Sequence, residues 1–516
     1  MYSDNYLFEK DKLIDDENVF TEKKIFEVND TNAGSYSANN NVVKYQLSQI
    51  FNLNTLMNFS NAYLYIPLDL TISDFKLANP SDALKLFSIK PSALFNSISI
   101  RINGKNVVNY STNLGELIEF NYLTKATKNN LADYERAFFS KSDEKLLEYL
   151  DNQIVVNNQC KDTNNSQSLK LNNVVQLPSN KLFVDNNDNS VFFNVDGNPT
   201  NTRLSSVLSA PGATNTVMRF NVYLKLTDLH PIFAELNIAR CLLDMEIGLN
   251  AGFSEVKYTG ATNTLKSYFT SQTDSFSGNS NPIYFNTDGI KTANKYWDSA
   301  ATNANATNPT FKFNLSINTT DGTKIYMPML TLKPAINEIY IKDSVKNINY
   351  LDYNYFNLNN ISPNTNVNFT LSNSVSNQKY LLMVPQLTNN KMSIFNTSIL
   401  NNGPISLTNI QIVKGSSIFN QPLLYTYDMF LNYINNNNNV NGGNDWNVNI
   451  FDENAFVKQN RLYFFDLSLI NNEKDVGYNL IVQFKNSAKL TVNCDFYVLY
   501  ENEFVFNKLN GTIGTL

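Results

Sequence analysis

The chain has 516 residues, too many for one ordinary hydrophobic core, so two domains are expected. A formal charge of -6 and a pI near 5.1 exclude a polycationic protein that condenses nucleic acid by counterion release. Charged residues are only 17% of the chain, against roughly a quarter in an average domain, and 28 Tyr and 35 Phe accompany abundant Asn, a balance that favours strands joined by Asn- and Gly-rich turns.

The N-terminus, MYSDNYLFEKDKLIDDENVFTEKK, is mixed in sign and slightly acidic. It has no basic arm and lacks the basic-then-apolar order of a signal peptide. We read residues 1–39 as an N-terminal arm. No apolar run in the chain approaches the ~18 residues of a membrane-spanning helix, so a soluble protein is expected. Strand-like runs then recur along the chain: Ala62–Ile72, Ser97–Ile102, Arg219–Leu226, Leu242–Leu249, Lys379–Leu387, Arg461–Leu469, Asn479–Phe484 and Asp495–Tyr500. Ile98, Ile100 and Ile102 alternate with polar residues, as do Phe220, Val222, Leu224 and Leu226. That period of two is the mark of a half-buried strand. Helical patterns are few: Leu114–Leu123, extended by Leu131–Leu150, and Tyr427–Ile434.

An internal duplication organises these elements. The stretch Ser97–Leu123 matches Leu407–Ile434: an alternating strand, a turn glycine (Gly104, Gly415), a short apolar pair and a helix. Setting Gly104 on Gly415, a shift of 311, also sets Phe120 on Leu431 and Tyr122 on Tyr433. Before it, Tyr63–Pro67 resembles Leu381–Pro385; after it, the strand at Arg219 resembles the strand at Arg461. Three matches in the same order predict one module used twice, over residues 40–345 and 346–516. From Leu123 to Arg219 the first copy runs 96 residues, whereas from Ile434 to Arg461 the second runs 27. The difference predicts a long polar surface insertion near 151–216, with a second near 251–308. Asn435–Asn439 and the NVNGGND that follows predict a further loop.

Residues that could carry chemistry are sparse. His230 is the only histidine, and Asp228 beside it could make it a general base. A residue at a loop or strand end before Pro231 is the plainer reading, because no nucleophile motif accompanies it. Asp15-Asp16-Glu17 and Asp452-Glu453 lack the convergent oxygen spacing of a metal loop and read as solvated turns. Cys160, Cys241 and Cys494 are too scattered for zinc or a disulfide framework, and Cys241 and Cys494 read as core thiols. Asn103-Gly104-Lys105 reads as a tight hairpin turn, not a phosphate cradle. Trp297 and Trp446 lie in polar insertions and read as loop anchors ahead of sugar platforms. Sequons such as Asn58-Phe59-Ser60 follow from Asn content alone. No nucleotide, hydrolase or metalloprotease motif occurs. We therefore expect no catalytic, cofactor-binding or metal site and no cofactor.

The second copy resembles the C-terminal half of double jelly-roll major capsid proteins, which occur in virophages, Polinton-like viruses, adenovirus hexons and tailless membrane-containing phages. The resemblance rests on Gly403–Ile434 (GPISLTNIQIVKGSSIFNQPLLYTYDMFLNYI), Arg461–Leu469 (RLYFFDLSL) and Asn493–Thr512 (NCDFYVLYENEFVFNKLNGT). The first copy adds Leu224–Asn250 (LKLTDLHPIFAELNIARCLLDMEIGLN). The resemblance implies an all-β fold of two eight-stranded antiparallel jelly rolls in tandem with short flanking helices. It implies a major capsid protein of an icosahedral DNA virus that is not an enzyme, located in the virion and assembled inside the host cell. The expected partners are further copies in a homotrimer, neighbouring capsomers, penton and minor capsid or cement proteins, and an internal membrane reached through the arm. No sequence-specific nucleic acid binding is expected. An extracellular adhesin and a carbohydrate-active β-sandwich protein share the composition. The missing signal peptide argues against the adhesin, while paired glycosidase carboxylates cannot be recognised from sequence in such a fold.

Overall fold

The structure is a computed structural model. It describes residues 19–32, 36, 41–73, 87–125, 182–185, 190–192, 215–258, 269–285, 310–342, 344–371, 376–387, 390–394, 396, 398–402, 405–435, 451, 453–458, 460–469 and 478–514.

Eight strands build the framework of the first half: β1 (Phe20–Asn29), β2 (Val42–Gln46), β3 (Tyr63–Ser73), β4 (Phe95–Ile102), β5 (Lys105–Thr112), β6 (Asn215–Lys225), β7 (Leu243–Leu249) and β8 (Lys324–Leu332). They form two antiparallel sheets, in the orders β1-β8-β3-β6 and β2-β7-β4-β5. The second half repeats the plan with β9 (Val345–Ile361), β10 (Asn366–Leu371), β11 (Gln378–Leu387), β12 (Leu407–Lys414), β13 (Ser417–Ile418), β14 (Tyr463–Asp466), β15 (Leu480–Asn486) and β16 (Val492–Asn507). Its sheets run β9-β16-β11-β14 and β10-β15-β12-β13. Adding eight to every strand number of the first half gives the second. This is jelly-roll topology, an all-antiparallel sandwich, used twice.

The alternating strands fold as their pattern demands. Ile98, Ile100 and Ile102 of β4 are fully buried, and so are Val222 and Leu224 of β6. Each such side chain contributes about 1.5–3 kcal/mol by leaving water. One apolar cluster runs without a break from Val43 and Ile66 in the first sandwich to Leu382 and Val482 in the second. The three matched sequence blocks fall on β3 and β11, on β4-β5 and β12-β13 with the helix after each, and on β6 and β14.

The turn between β4 and β5 has both Asn103 (φ 50°) and Gly104 (φ 74°) in the left-handed region, closing the pair Ile102 and Lys105. That is the two-residue hairpin expected of Asn-Gly. In the other copy the hairpin closes on Lys414 and Ser417, with Gly415 (φ 60°) first in the turn. By hairpin register Gly415 thus matches Asn103, not Gly104. The two turns meet the same twist with the glycine in different places.

Helix α1 (Leu114–Lys125) follows β5. Asn113, at φ 58°, swings the chain from strand into helix. At Gly115 the helix lies so close to the turn before β4 that a Cβ would come within 2.3 Å of the Ser92 carbonyl oxygen. Short helices α2 (Leu226–Leu229) and α3 (Ile232–Leu236) follow β6, and α4 (Pro334–Lys342) connects the halves. Helix α5 (Tyr427–Asn435) follows β13, and α6 (Glu453–Lys458) precedes β14. The Met429 amide donates to Thr426 Oγ1 at 3.4 Å at the start of α5. The buried aromatic of α5 is Phe430, packed on Phe451 and Phe456, whereas Leu431 is only half-buried. Phe120, like Phe430, is almost fully buried, whereas the sequence shift sets Phe120 on the half-buried Leu431.

Two expectations change. Residues 20–29, read as part of the arm, form strand β1 and pair with β8 from Phe20–Leu332 to Asn29–Lys324. The insertion near 251–308 is not wholly a surface excursion. Gly252–Tyr258 pairs with Phe269–Phe276 and with Thr310–Ile317, and the last joins β3. Val256, Ile283 and Phe285 are fully or almost fully buried. Their apolar positions are spaced for strands within an otherwise polar segment, so the segment can bury one face. The helical pattern at Leu131–Leu150 lies outside the described residues, as does most of the insertion near 151–216.

Candidate functional site at the junction of the sandwiches

No sequence motif marks a site. The structure gathers five largely buried charged residues where the first sandwich meets the second. Helix α1 supplies Glu116 and Glu119. The short turn before β4 supplies Lys90 and Ser92. The second sandwich answers with Gln386 of β11, the segment Lys391–Ser398, and Asp495 and Tyr497 of β16.

Lys391 Nζ lies 2.5 Å from Glu116 Oε1 and 2.5 Å from Asp495 Oδ2. Gln386 Nε2 donates to Glu116 Oε1 at 2.6 Å, and the Tyr497 hydroxyl donates to Glu116 Oε2. Asp495 Oδ1 accepts from the Tyr355 hydroxyl at 2.6 Å and from Asn357 Nδ2 at 2.5 Å. The side chains of Glu116 and Asp495 are 1% and 2% exposed, that of Lys391 13%. Burial pushes the Glu116 carboxyl up to about 7, against the pull of Lys391, and Asp495 pushes the same way as burial. Lys391 itself is held above the ordinary lysine value, because the two carboxylates outweigh its own burial.

A second set lies beside the first. Glu119 accepts from Ser92 at 2.5 Å and from the Ser398 hydroxyl across the junction. Lys90 Nζ donates to the Ser393 carbonyl at 2.9 Å. Burial pushes the Lys90 ammonium down to about 7, with Glu119 and Asp274 opposing. Main-chain bonds seal the seam: Asn281 N to Lys391 O at 3.0 Å, Phe285 N to Ile394 O at 2.7 Å and Leu242 N to Gly511 O at 3.1 Å. Tyr350 and Tyr353 of β9 donate to the Val107 and Thr112 carbonyls at 2.5 and 3.1 Å. Such a junction rigidifies only when its members are satisfied together.

His230 sits at the same seam. It follows α2, is 2% exposed and stands edge-on to Tyr350 at 5.9 Å. Its Nδ1 accepts from the Ile232 amide at 3.2 Å, and its Nε2 is 3.8 Å from Asp352 Oδ1, beyond hydrogen-bond reach. It is a packing residue between the halves, and Asp352 of the second half lies near its far nitrogen. Cys241 and Cys494 are fully buried free thiols, and burial pushes both upward. Glu453 is an exposed first residue of α6. Asp15, Asp16, Glu17, Cys160, Trp297, Trp446 and Asp452 lie outside the described residues. Among the described residues no group of three or more His, Cys, Asp or Glu could hold a metal, and no helix is long and apolar enough to cross a membrane. Asn58 accepts from the Asn61 amide at 3.2 Å and is buried, a turn-forming role.

Sequence reasoning missed Glu116, Glu119, Lys90, Lys391 and Asp495. Glu116 and Glu119 stand three apart, one helical turn, among Leu117, Ile118 and Phe120, and that was the available signal.

The fold and the junction define an all-β tandem jelly-roll protein whose halves are locked by buried charge. Solved structures similar to it include the mavirus major capsid protein (TM-score 0.47, 11% identity, 95% of this chain and 89% of that one). The Faustovirus major capsid protein (0.47, 10%, 94% and 90%) and PBCV-1 VP54, fitted into a reconstruction of the virophage Sputnik (0.42, 10%, 98% and 98%), are also similar. No protein-family model and no curated protein matches the sequence.

Proposed function

We propose that the chain is the major capsid protein of a tailless icosahedral DNA virus, a building block with no catalytic, cofactor or metal site. The observation that carries this reading is the same eight-strand order occurring twice in one chain. A hexagonal lattice position can be filled by six single sandwiches or by three doubled ones. Three copies of this chain give a pseudo-hexagonal outline with true threefold symmetry, and a closed ring satisfies the need of head-to-tail contacts to close. A rigid seam between the halves suits that role, because each copy must present two faces at a fixed angle. Exposed apolar side chains support self-association: Ile418 is 56%, Leu424 64% and Leu490 58% exposed, all in the second sandwich.

In this reading, residues 1–18 and the polar insertion near 151–216 make contacts in the assembled shell: neighbouring capsomers, penton and minor capsid or cement proteins, or an internal membrane. The acidic chain binds no nucleic acid sequence-specifically. The protein is made and assembled inside the infected cell and resides in the virion. Light scattering and negative-stain microscopy of recombinant protein test the proposal. A stable homotrimer with a hexagonal outline is expected. A monomer at high concentration that forms no capsomers overturns it.

A further inference from the structure

We propose that Lys391 and Asp495 condense to an amide cross-link inside the second sandwich, with Glu116 of the first sandwich as the group that relays the proton. The inference does not depend on the capsid reading.

The geometry is that of a reactive pair held in contact. The amine nitrogen of Lys391 touches one carboxylate oxygen of Asp495 and one of Glu116, both at 2.5 Å. Both carboxylates are almost wholly out of water. One ammonium between two carboxylates leaves a net negative charge in a buried site, which costs free energy unless a proton neutralises it. Glu116, pushed up to about 7, takes that proton near neutrality. Passing one ammonium proton to Asp495 then makes all three groups neutral. Lys391 is held above the ordinary lysine value, so this neutral arrangement is the minor form, and it is the form that reacts. It holds a free amine against a protonated carboxyl, which are the two reactants of amide formation.

The two oxygens of Asp495 sit in different surroundings. Oδ1 faces two donors, the Tyr355 hydroxyl and the Asn357 amide. They are placed to carry the negative charge that develops on that oxygen when the amine adds to Cγ. Oδ2 faces Lys391, next to Glu116. The bond Nζ–Cγ forms, and protonated Glu116 gives its proton to the Oδ2 hydroxyl while taking one from Nζ in exchange. The Cγ–Oδ2 bond breaks, one water departs, and Glu116 is left protonated as it began. Nothing is oxidised or reduced, and no co-reactant is needed. Fixed contact replaces the collision of two free solutes, an advantage reaching an effective molarity of about 10⁵ M or more in well-oriented pairs. Gln386 and Tyr497 hold Glu116 in place. Because Glu116 belongs to the first sandwich and the bond to the second, the cross-link forms only after the halves have docked.

The experiment is the intact mass of the purified, denatured full-length chain, followed by tryptic digestion and tandem mass spectrometry. The expected mass is one water below that of the sequence. The digest should yield a branched peptide joining the Lys391 and Asp495 segments, with no cleavage at Lys391. Glu116→Gln should slow the cross-link on the order of a hundredfold, the usual weight of a proton-transfer group. Lys391→Arg should abolish it and restore the full mass. A wild-type chain of full mass with a linear, cleavable Lys391 peptide overturns the proposal, whether or not the variants fold. Loss of water without the branched peptide overturns it as well. A Glu116→Gln chain that cross-links as fast as wild type overturns the relay.

Discussion

Phe120, on the helix of the first sandwich, stacks on Phe464, in a strand of the second, with ring centroids 5.5 Å apart and planes 28° from parallel. Both rings are buried. The pair is the apolar counterpart of the charged junction beside it. Truncating Phe120 to Ala should cost about 3–5 kcal/mol, the range for large aromatics in cores. The loss should appear as uncoupling of the halves: one unfolding transition in wild type, two in the variant, by calorimetry. A double-mutant cycle with Phe464→Ala should return a coupling of about 0.5–1.5 kcal/mol.

The buried Lys90 ammonium makes stability depend on pH. Its folded value lies near 7, below the ordinary 10.5 of the unfolded chain. Below pH 7 both states hold the proton, and the folded state bears the full cost of burying the charge. Between pH 7 and 10.5 the unfolded chain binds more protons than the folded one, so this group's contribution to stability rises with pH. Wild type should gain on Lys90→Met as pH is raised from about 7 to 10, by on the order of a few kcal/mol. Urea unfolding at pH 6, 8 and 10 measures the difference, and a flat or opposite trend would refute the assignment.

Two glycines separate backbone strain from steric collision. Gly104 is left-handed with open space around it, so Gly104→Ala should cost only about 1 kcal/mol. Gly115→Ala places a methyl against the Ser92 carbonyl, a main-chain atom that cannot yield without moving the helix. It should cost well over 1–3 kcal/mol, the usual price of overpacking, and displace Glu116 from the junction. Thermal unfolding of the two variants in parallel gives the comparison.

His230→Ala should reduce stability by about 1–3 kcal/mol, since it opens a hole between α3 and Tyr350. It should leave the oligomeric state unchanged. Differential scanning fluorimetry with light scattering reads both.

Deleting Met1–Asn18 should leave a folded, soluble chain. Deleting Met1–Asp30 removes β1 and bares the edge of β8 along Lys324–Leu332. An uncovered edge of that length templates pairing with other chains, so the longer deletion should aggregate. Sedimentation of the two deletions distinguishes the outcomes.

What the sequence disclosed follows from what local pattern controls. The β4 and β6 strands announce themselves because every second residue is apolar and faces one core. The Asn103-Gly104 turn is legible because few residues tolerate two successive left-handed positions. Strand β1 was hidden because FTEKKIFEVN carries charge on both faces. Ile25 and Phe26 remain 73% and 43% exposed, so the strand is held by main-chain pairing to β8 and not by an apolar stripe. The junction was hidden for a different reason. Glu116 and Lys391 look like any surface charges in their own segments. Only the packing of one half on the other removes them from water.

The span between these partners also sets a timetable. Glu116 and Tyr497 are 381 positions apart in the chain, yet their side chains bond directly. A ribosome completes the first sandwich long before Tyr497 exists. Through that interval Glu116, Glu119 and the ring of Phe120 lack their final neighbours Tyr497, Ser398 and Phe464. Contacts of such separation form late and slowly, and an unfinished apolar face is a target for misassembly. A charged, partly wet seam is safer to leave open than a greasy one. The carboxylates of helix α1 make that open face more polar than an all-apolar one until the rest of the chain arrives.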